Sequence, residues 1–337
     1  MSYVDIILFF LAASLVLYTV LGGADFGAGI VELLIKPNKR EDYIKVTKQA
    51  LGPVWEANHM WMILAIVILF NGFPKLYSTL SVYLHLPLTL MLLGIIFRGC
   101  AFTFRHYDAV QDESGALYSW VFQISSLLTP LMLGMIAGAI TQGEFVPADA
   151  GSYYDVYIAP WLSLFTLSLG LFMVALCGFL ATVYLVGEVS QDQFAEVYRG
   201  ISKKFAIAAV VLGFLVLVLG SSQGVPLTRV FLQSKISLYS MAIATVLIVY
   251  LYFLLRTESR IRIRILAAGV VSCILIGWFG MLFPNLVLYK GTQVPLDFYS
   301  HQAPEATLLY LTYALLGGSL FIFPSLFYLF RVFKGKA

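Results

Sequence analysis

The sequence predicts an all-α polytopic membrane protein with nine transmembrane helices. Three observations predict it. First, 60% of the 337 residues are apolar and only 12% are charged, against about 45–50% and about 25% in soluble domains. The mean hydropathy of +0.89 makes the bilayer the principal solvent. Second, the apolar runs are long and continuous. Each can supply the ~20 residues that a helical span needs, and none has the ~10-residue alternation of a membrane β-barrel. Third, basic residues gather on one set of connections, as the positive-inside rule requires. A net charge of +3 implies no polyanion-binding face, so no nucleic-acid partner is expected.

Read in order, the spans fall at about 5–34, 50–71, 80–104, 117–141, 161–187, 206–223, 236–255, 265–284 and 306–331. Span 1 is too long for a signal peptide and has no basic leader, so it is expected to stay in the mature chain. Turn chemistry separates several spans. Lys36-Pro37-Asn38 follows span 1, Asn71-Gly72-Phe73-Pro74 follows span 2, Gly224-Val225-Pro226 follows span 6 and Pro284-Asn285 follows span 8. The connections are short, with residues 285–305 the longest on the outer side. Residues 1–337 therefore read as a single membrane domain. Seventeen of the 21 basic residues lie on one side of this arrangement, and Lys75, Arg229, Lys235 and Lys290 on the other. That asymmetry places the N-terminus outside and the C-terminus in the cytoplasm.

Cys100, Cys177 and Cys273 lie in apolar runs without C-x-x-C spacing and read as packed side chains. Gly23-x-x-x-Gly27 and Ala24-x-x-x-Ala28 in span 1 are small-residue patterns that let helices approach closely. No phosphate-cradling loop and no Ser-His-Asp or Cys-His constellation is present.

The informative residues are the charges inside spans. A carboxylate near a helix centre costs about 2.5–3.5 kcal/mol on insertion scales. Asp25 and Glu56 are the two that sit clearly inside. At 1.5 Å per residue, Asp25 is roughly 14 Å and Glu56 roughly 9–12 Å from the cytoplasmic end. Arg98 in span 3 lies at a comparable level and is placed to pair with either. Glu32 is near the end of span 1, where it is expected to reach water. Three readings fit these residues: a protonatable relay open to the cytoplasm, a structural ion pair, or a cation site. The last would suit a secondary transporter or ion exchanger using Asp25 and Glu56. Glu56-x-x-His59 has the spacing of a di-iron ligand pair, but the motif occurs once where such bundles need it twice. Haem ligation by His59 or His85 is the weaker reading against hydrogen-bonded packing.

Three segments resemble subunit II of the cytochrome bd-type quinol oxidases. They are Gly23-Ala24-Asp25-Phe26-Gly27-Ala28-Gly29 in span 1, Gly52-Pro53-Val54-Trp55-Glu56-Ala57-Asn58-His59-Met60-Trp61 in span 2 and Phe97-Arg98-Gly99-Cys100-Ala101-Phe102-Thr103-Phe104-Arg105 in span 3. The resemblance implies two four-helix bundles plus one peripheral helix. It implies a subunit I partner that carries two haems b and a haem d (or a third haem b), while this chain ligates none. It implies electrogenic quinol:oxygen oxidoreduction in a bacterial cytoplasmic membrane, with Glu56 and Asp25 as proton-pathway residues shaped by Trp55, Asn58, His59 and Arg98. It also leaves room for a bound quinone and a small single-span accessory subunit. Two departures stand out. The family often has Trp-Asp-Gly-Asn where this chain has Trp55-Glu56-Ala57-Asn58. Many members also carry a second acid where this chain has Gly22.

Overall fold

The computed structural model describes residues 2–35, 40, 43–44, 46–47, 55–107, 114–147, 149–186, 192–225, 227–255, 260–287 and 296–334. Of the sequence features above, Lys36-Pro37-Asn38, residues 52–54, Pro226 and the basic residues Lys39, Lys45, Lys48, Arg256, Lys290 and Lys336 lie outside them. Among the described residues, eight helices are long and apolar enough to cross a membrane. Counting one helix pair bent by more than 40° as a single span brings the number to nine.

Span 1 is one rod built from α1 (Tyr3–Leu17), a π-helical turn (Tyr18–Gly22) and α2 (Gly23–Leu34). A capping box starts it: Ser2 accepts from the Asp5 amide at 3.3 Å, and Asp5 accepts from the Ser2 amide at 2.8 Å. The π turn inserts a wider turn three residues before Asp25. Helix α3 (Trp55–Gly72) then bends by 117° into α4 (Pro74–Tyr83). Phe73, at φ −139° and ψ 59°, leaves the helical region. Pro74 supplies no amide and holds the first-turn geometry of the new helix. The turn residues of Asn71-Gly72-Phe73-Pro74 predict only a break before span 3. In the structure it is a second helix, and α5 (His85–Tyr107) follows directly.

Helices α6 (Ser114–Gln142), α7 (Tyr153–Tyr157) and α8 (Leu164–Val186) come next. They are followed by α9 (Asp192–Ser222), α10 (Leu227–Gln233), α11 (Lys235–Leu254), α12 (Arg260–Leu282) and α13 (Glu305–Lys334). Helix α9 begins well before the predicted edge at 206. Glu196, Arg199, Lys203 and Lys204 end the apolar run without ending the helix, since none of them breaks backbone hydrogen bonding.

The core divides in two. Residues of α1, α3, α5 and α6 form one apolar cluster, which α13 joins through Leu308 and Leu315 where it packs against α1 and α3. Residues of α2, α8, α9, α11 and α12 form the other. The expected two bundles and peripheral helix are therefore present, with span 1 shared between them. On the side opposite the basic connections, strands β1 (Asn285–Val287) and β2 (Leu296–Asp297) pair antiparallel. Asp297 Oδ1 accepts from the Tyr299 and Ser300 amides at 2.9 and 2.8 Å. Burial pushes this carboxyl up, but those hydrogen bonds outweigh it and hold the group below its ordinary range. Tyr299 Oη donates to Asp5 at 3.0 Å and ties the loop to the start of span 1.

Helices α2, α6 and α8 meet at the centre of the molecule. Gly27 faces α8 so closely that a Cβ there would overlap the carbonyl oxygen of Cys177. One at Gly23 would sit 3.3 Å from Cys177 Sγ, where a side chain can yield. Overpacking costs about 1–3 kcal/mol when backbone must move. Gly27→Ala is thus expected to lower the thermal stability of the purified protein clearly, and Gly23→Ala much less. Thermal unfolding followed by size-exclusion chromatography checks the order.

Candidate functional site

The site is assembled where α2, α3, α5 and α6 converge. Asp25 and Arg98 are both fully buried. Asn58 Nδ2 donates to Asp25 Oδ2 at 2.5 Å, and Arg98 Nη2 donates to the Asp25 backbone carbonyl at 3.4 Å. The guanidinium lies 5.8 Å from the ring of Phe26, 5.3 Å from Phe102 and 5.5 Å from Phe122. Such ring faces attract a cation most where water is excluded. The His59 ring packs against Tyr18 at 6.0 Å and Phe26 at 5.8 Å, lining the same space from α3.

A second charged cluster lies two turns away along α2. Glu32 is fully buried and does not reach water, contrary to the expectation from its place in the sequence. Arg105 Nη1 donates to both of its oxygens at 3.0 and 3.1 Å, and Gln123 Nε2 donates at 2.9 Å. The Arg105 guanidinium stands 4.7 Å from the Phe122 ring, so one aromatic ring serves both arginines. The sequence reading named neither Gln123 nor an Arg105–Glu32 pair. The signal was present as spacing. Asp25 and Glu32 are seven residues apart on α2, and Arg98 and Arg105 are seven apart on α5. Seven residues are close to two turns, so each pair occupies one stripe of its helix, and the stripes face each other.

Glu56 is placed differently. It stands in the first turn of α3 and is exposed, whereas Asn58 is buried. Two residues on a helix are separated by roughly 200° of rotation, so the two side chains point to opposite sides. Met60 and Ile63, one and two turns on from Glu56, are 48% and 60% exposed. The structure brings Asp25, Asn58, His59 and Arg98 together and leaves Glu56 on the outer face of α3. Trp55 opens that helix, and its side chain lies outside the described residues.

Among the described residues, no group of three His, Cys, Asp or Glu side chains is close enough to hold a metal ion. His59 sits against two aromatic rings, and His85 Nδ1 lies 2.9 Å from the Val82 carbonyl oxygen. Between the two bundles lies an apolar cavity of about 720 Å³, bordered by Leu15, Thr19, Met62, Phe172 and Trp278. Trp278 Nε1 donates to Thr141 Oγ1 at 2.7 Å on its wall.

Residues 3–333 match the family described as cytochrome bd terminal oxidase subunit II. The chain belongs to that family. Its fold agrees with a chain of the bd oxidase from Geobacillus thermodenitrificans, with a TM-score of 0.81 over 99% of both chains at 19% identity. It is 27% identical to the cytochrome bd ubiquinol oxidase subunit 2 of Bacillus subtilis over 161 residues. That match spans 47% of this chain and 45% of the relative. It is 26% identical to the cytochrome bd-I ubiquinol oxidase subunit 2 of Escherichia coli K12 over 140 residues, spanning 42% and 36%. The chain thus matches under half the length of these curated relatives.

Removing one partner of a buried ion pair costs about 3–5 kcal/mol, because the other charge is stranded. Glu32→Ala and Arg105→Leu are each expected to lower the melting temperature and yield sharply. The double variant is expected to recover most of the loss. A double-mutant cycle on thermal stability checks this. Additive losses would show that the two side chains do not depend on each other.

Proposed function

We propose that this chain is the haem-free subunit II of a quinol:oxygen oxidoreductase in the cytoplasmic membrane of a bacterium. Its N-terminus is outside, and it is paired with a haem-bearing subunit I. The observation that carries the proposal is the buried Asp25, gripped by Asn58 and set beside Arg98 on segments that match the family. A carboxylate kept at such cost inside a span is a functional group by default.

In this reading the chain contributes a scaffold and a proton-uptake path. The partner's haems supply the oxygen chemistry, and quinol supplies electrons on the outer side. Protons consumed in making water come from the cytoplasm through Asp25. Asn58 holds the Asp25 carboxylate in one orientation, and Arg98 offsets its charge. Glu56, turned outward at the start of α3, is the station that meets the partner and passes the proton on. The rings of Phe26, Phe102 and Phe122 keep lipid and bulk water away from Arg98. The apolar cavity between the bundles suits the polyprenyl tail of a quinone, since ligand sites of this kind are apolar clefts with a few polar groups.

The test uses the purified complex with its haems. Positioned proton carriers contribute about 10²–10⁴ in rate, so Asp25→Asn and Glu56→Gln are each expected to slow quinol-driven oxygen consumption at least about tenfold. Haem content per complex should stay unchanged. Normal turnover in Glu56→Gln would remove Glu56 from the path. Normal turnover in Asp25→Asn would leave the buried acid a purely structural role.

A further inference from the structure

The second charged cluster has no part in the path described so far, yet it lies on the same stripe of α2. Asp25, Gly29 and Glu32 succeed one another at one-turn spacing. The two carboxylates are separated by about 10 Å of helix rise, too far for a direct hydrogen bond of roughly 3 Å. Gly29 lies between them, and Ser126 of α6 fills the room that a side chain would take there. A Cβ built on Gly29 would overlap both Ser126 Oγ and Ser126 Cβ.

The hydroxyl of Ser126 is unusual in its bonding. The neighbouring Ser125 and Thr129 hydroxyls return their protons to carbonyls one turn back, those of Val121 and Ser125, as hydroxyls in spans commonly do. Ser126 is fully buried, and its Oγ has no hydrogen-bond partner among the described residues. A buried hydroxyl left this way carries a desolvation cost. On α6, Gln123 lies three residues before Ser126 and donates to Glu32. Phe122 lies one turn before it and borders both arginines. Ser126 therefore stands on the face of α6 that looks onto both carboxylate clusters.

We infer that Ser126 is the transfer station between Glu32 and Asp25, and that the Glu32–Arg105–Gln123 cluster is the inlet of the proton path. The inference rests on the proton-uptake reading above. The Ser126 hydroxyl is bonded to neither carboxylate, so a water on each side, held between polar groups, relays the proton. Glu32 gives its proton to the first, which passes one to a lone pair of Ser126, whose own proton goes through the second to the Asp25 carboxylate. Glu32 ends as a carboxylate held by Arg105 and Gln123, Asp25 ends as the acid, and Ser126 keeps one proton throughout. No electron moves in the step. A proton from the cytoplasm then reloads Glu32.

The test is Ser126→Ala, which deletes one oxygen from a hydroxyl without a partner and so leaves packing and the ion pair in place. Haem content and melting temperature of the purified complex are expected to match the parent. Oxygen consumption per haem is expected to fall at least about tenfold, on the scale of a lost proton-transfer group. The ratio of rates in H₂O and D₂O should rise as proton delivery becomes limiting. Normal turnover and an unchanged isotope ratio in Ser126→Ala, with Asp25→Asn still slow, would overturn the Ser126 station and leave the Asp25 path standing. Normal turnover in Asp25→Asn would overturn the path itself, and the station with it.

Discussion

A charge inside hydrocarbon must find its counter-groups within the protein, and this constraint shapes the centre of the molecule. Bulk water does not reach Asp25 or Arg98 where they lie. The fold supplies an amide from Asn58, a carbonyl from α2 and three aromatic faces instead. These groups come from four helices, so α2, α3, α5 and α6 must all be in register for the charges to be tolerated. The site therefore specifies the packing as much as the packing holds the site.

Close approach makes that register achievable. Lipid tails are as apolar as leucine, so helices in a bilayer associate through fit and not through hydrophobic expulsion. Gly27 lets α2 lie against the Cys177 backbone of α8, and Gly29 lets it accept Ser126 of α6. The two glycines, two residues and about 200° apart, point α2 at its two neighbours within a single turn. The stripe bearing Asp25 and Glu32 is then fixed toward α5 and α6. The π turn just before it adds a local widening that a uniform α-helix would lack.

Much of this was legible in the sequence. Continuous apolar runs give the spans, and scarcity of charge singles out Asp25 and Arg98. What escaped the reading was rotational, not axial. Hydropathy reports how far along a span a residue lies. Distance from the span end puts Glu32 in water, yet its face of α2 points at Arg105 and Gln123. Depth alone groups Glu56 with Asp25, yet its azimuth on α3 is nearly opposite that of Asn58. The corner at Phe73-Pro74 shows the same limit. Turn residues mark where a chain leaves its helix, but the helix beyond the bend depends on what α4 packs against.

The shared ring of Phe122 explains why two charged clusters occur in place of one. Two guanidiniums beside one aromatic ring repel each other, and in a low-dielectric interior that repulsion is weakly screened. Each arginine therefore needs its own anion. Glu32 provides one directly to Arg105, at 3.0 Å. Asp25 and its carbonyl provide the other to Arg98. The seven-residue spacing repeated on α2 and α5 is what sets each acid beside its own arginine.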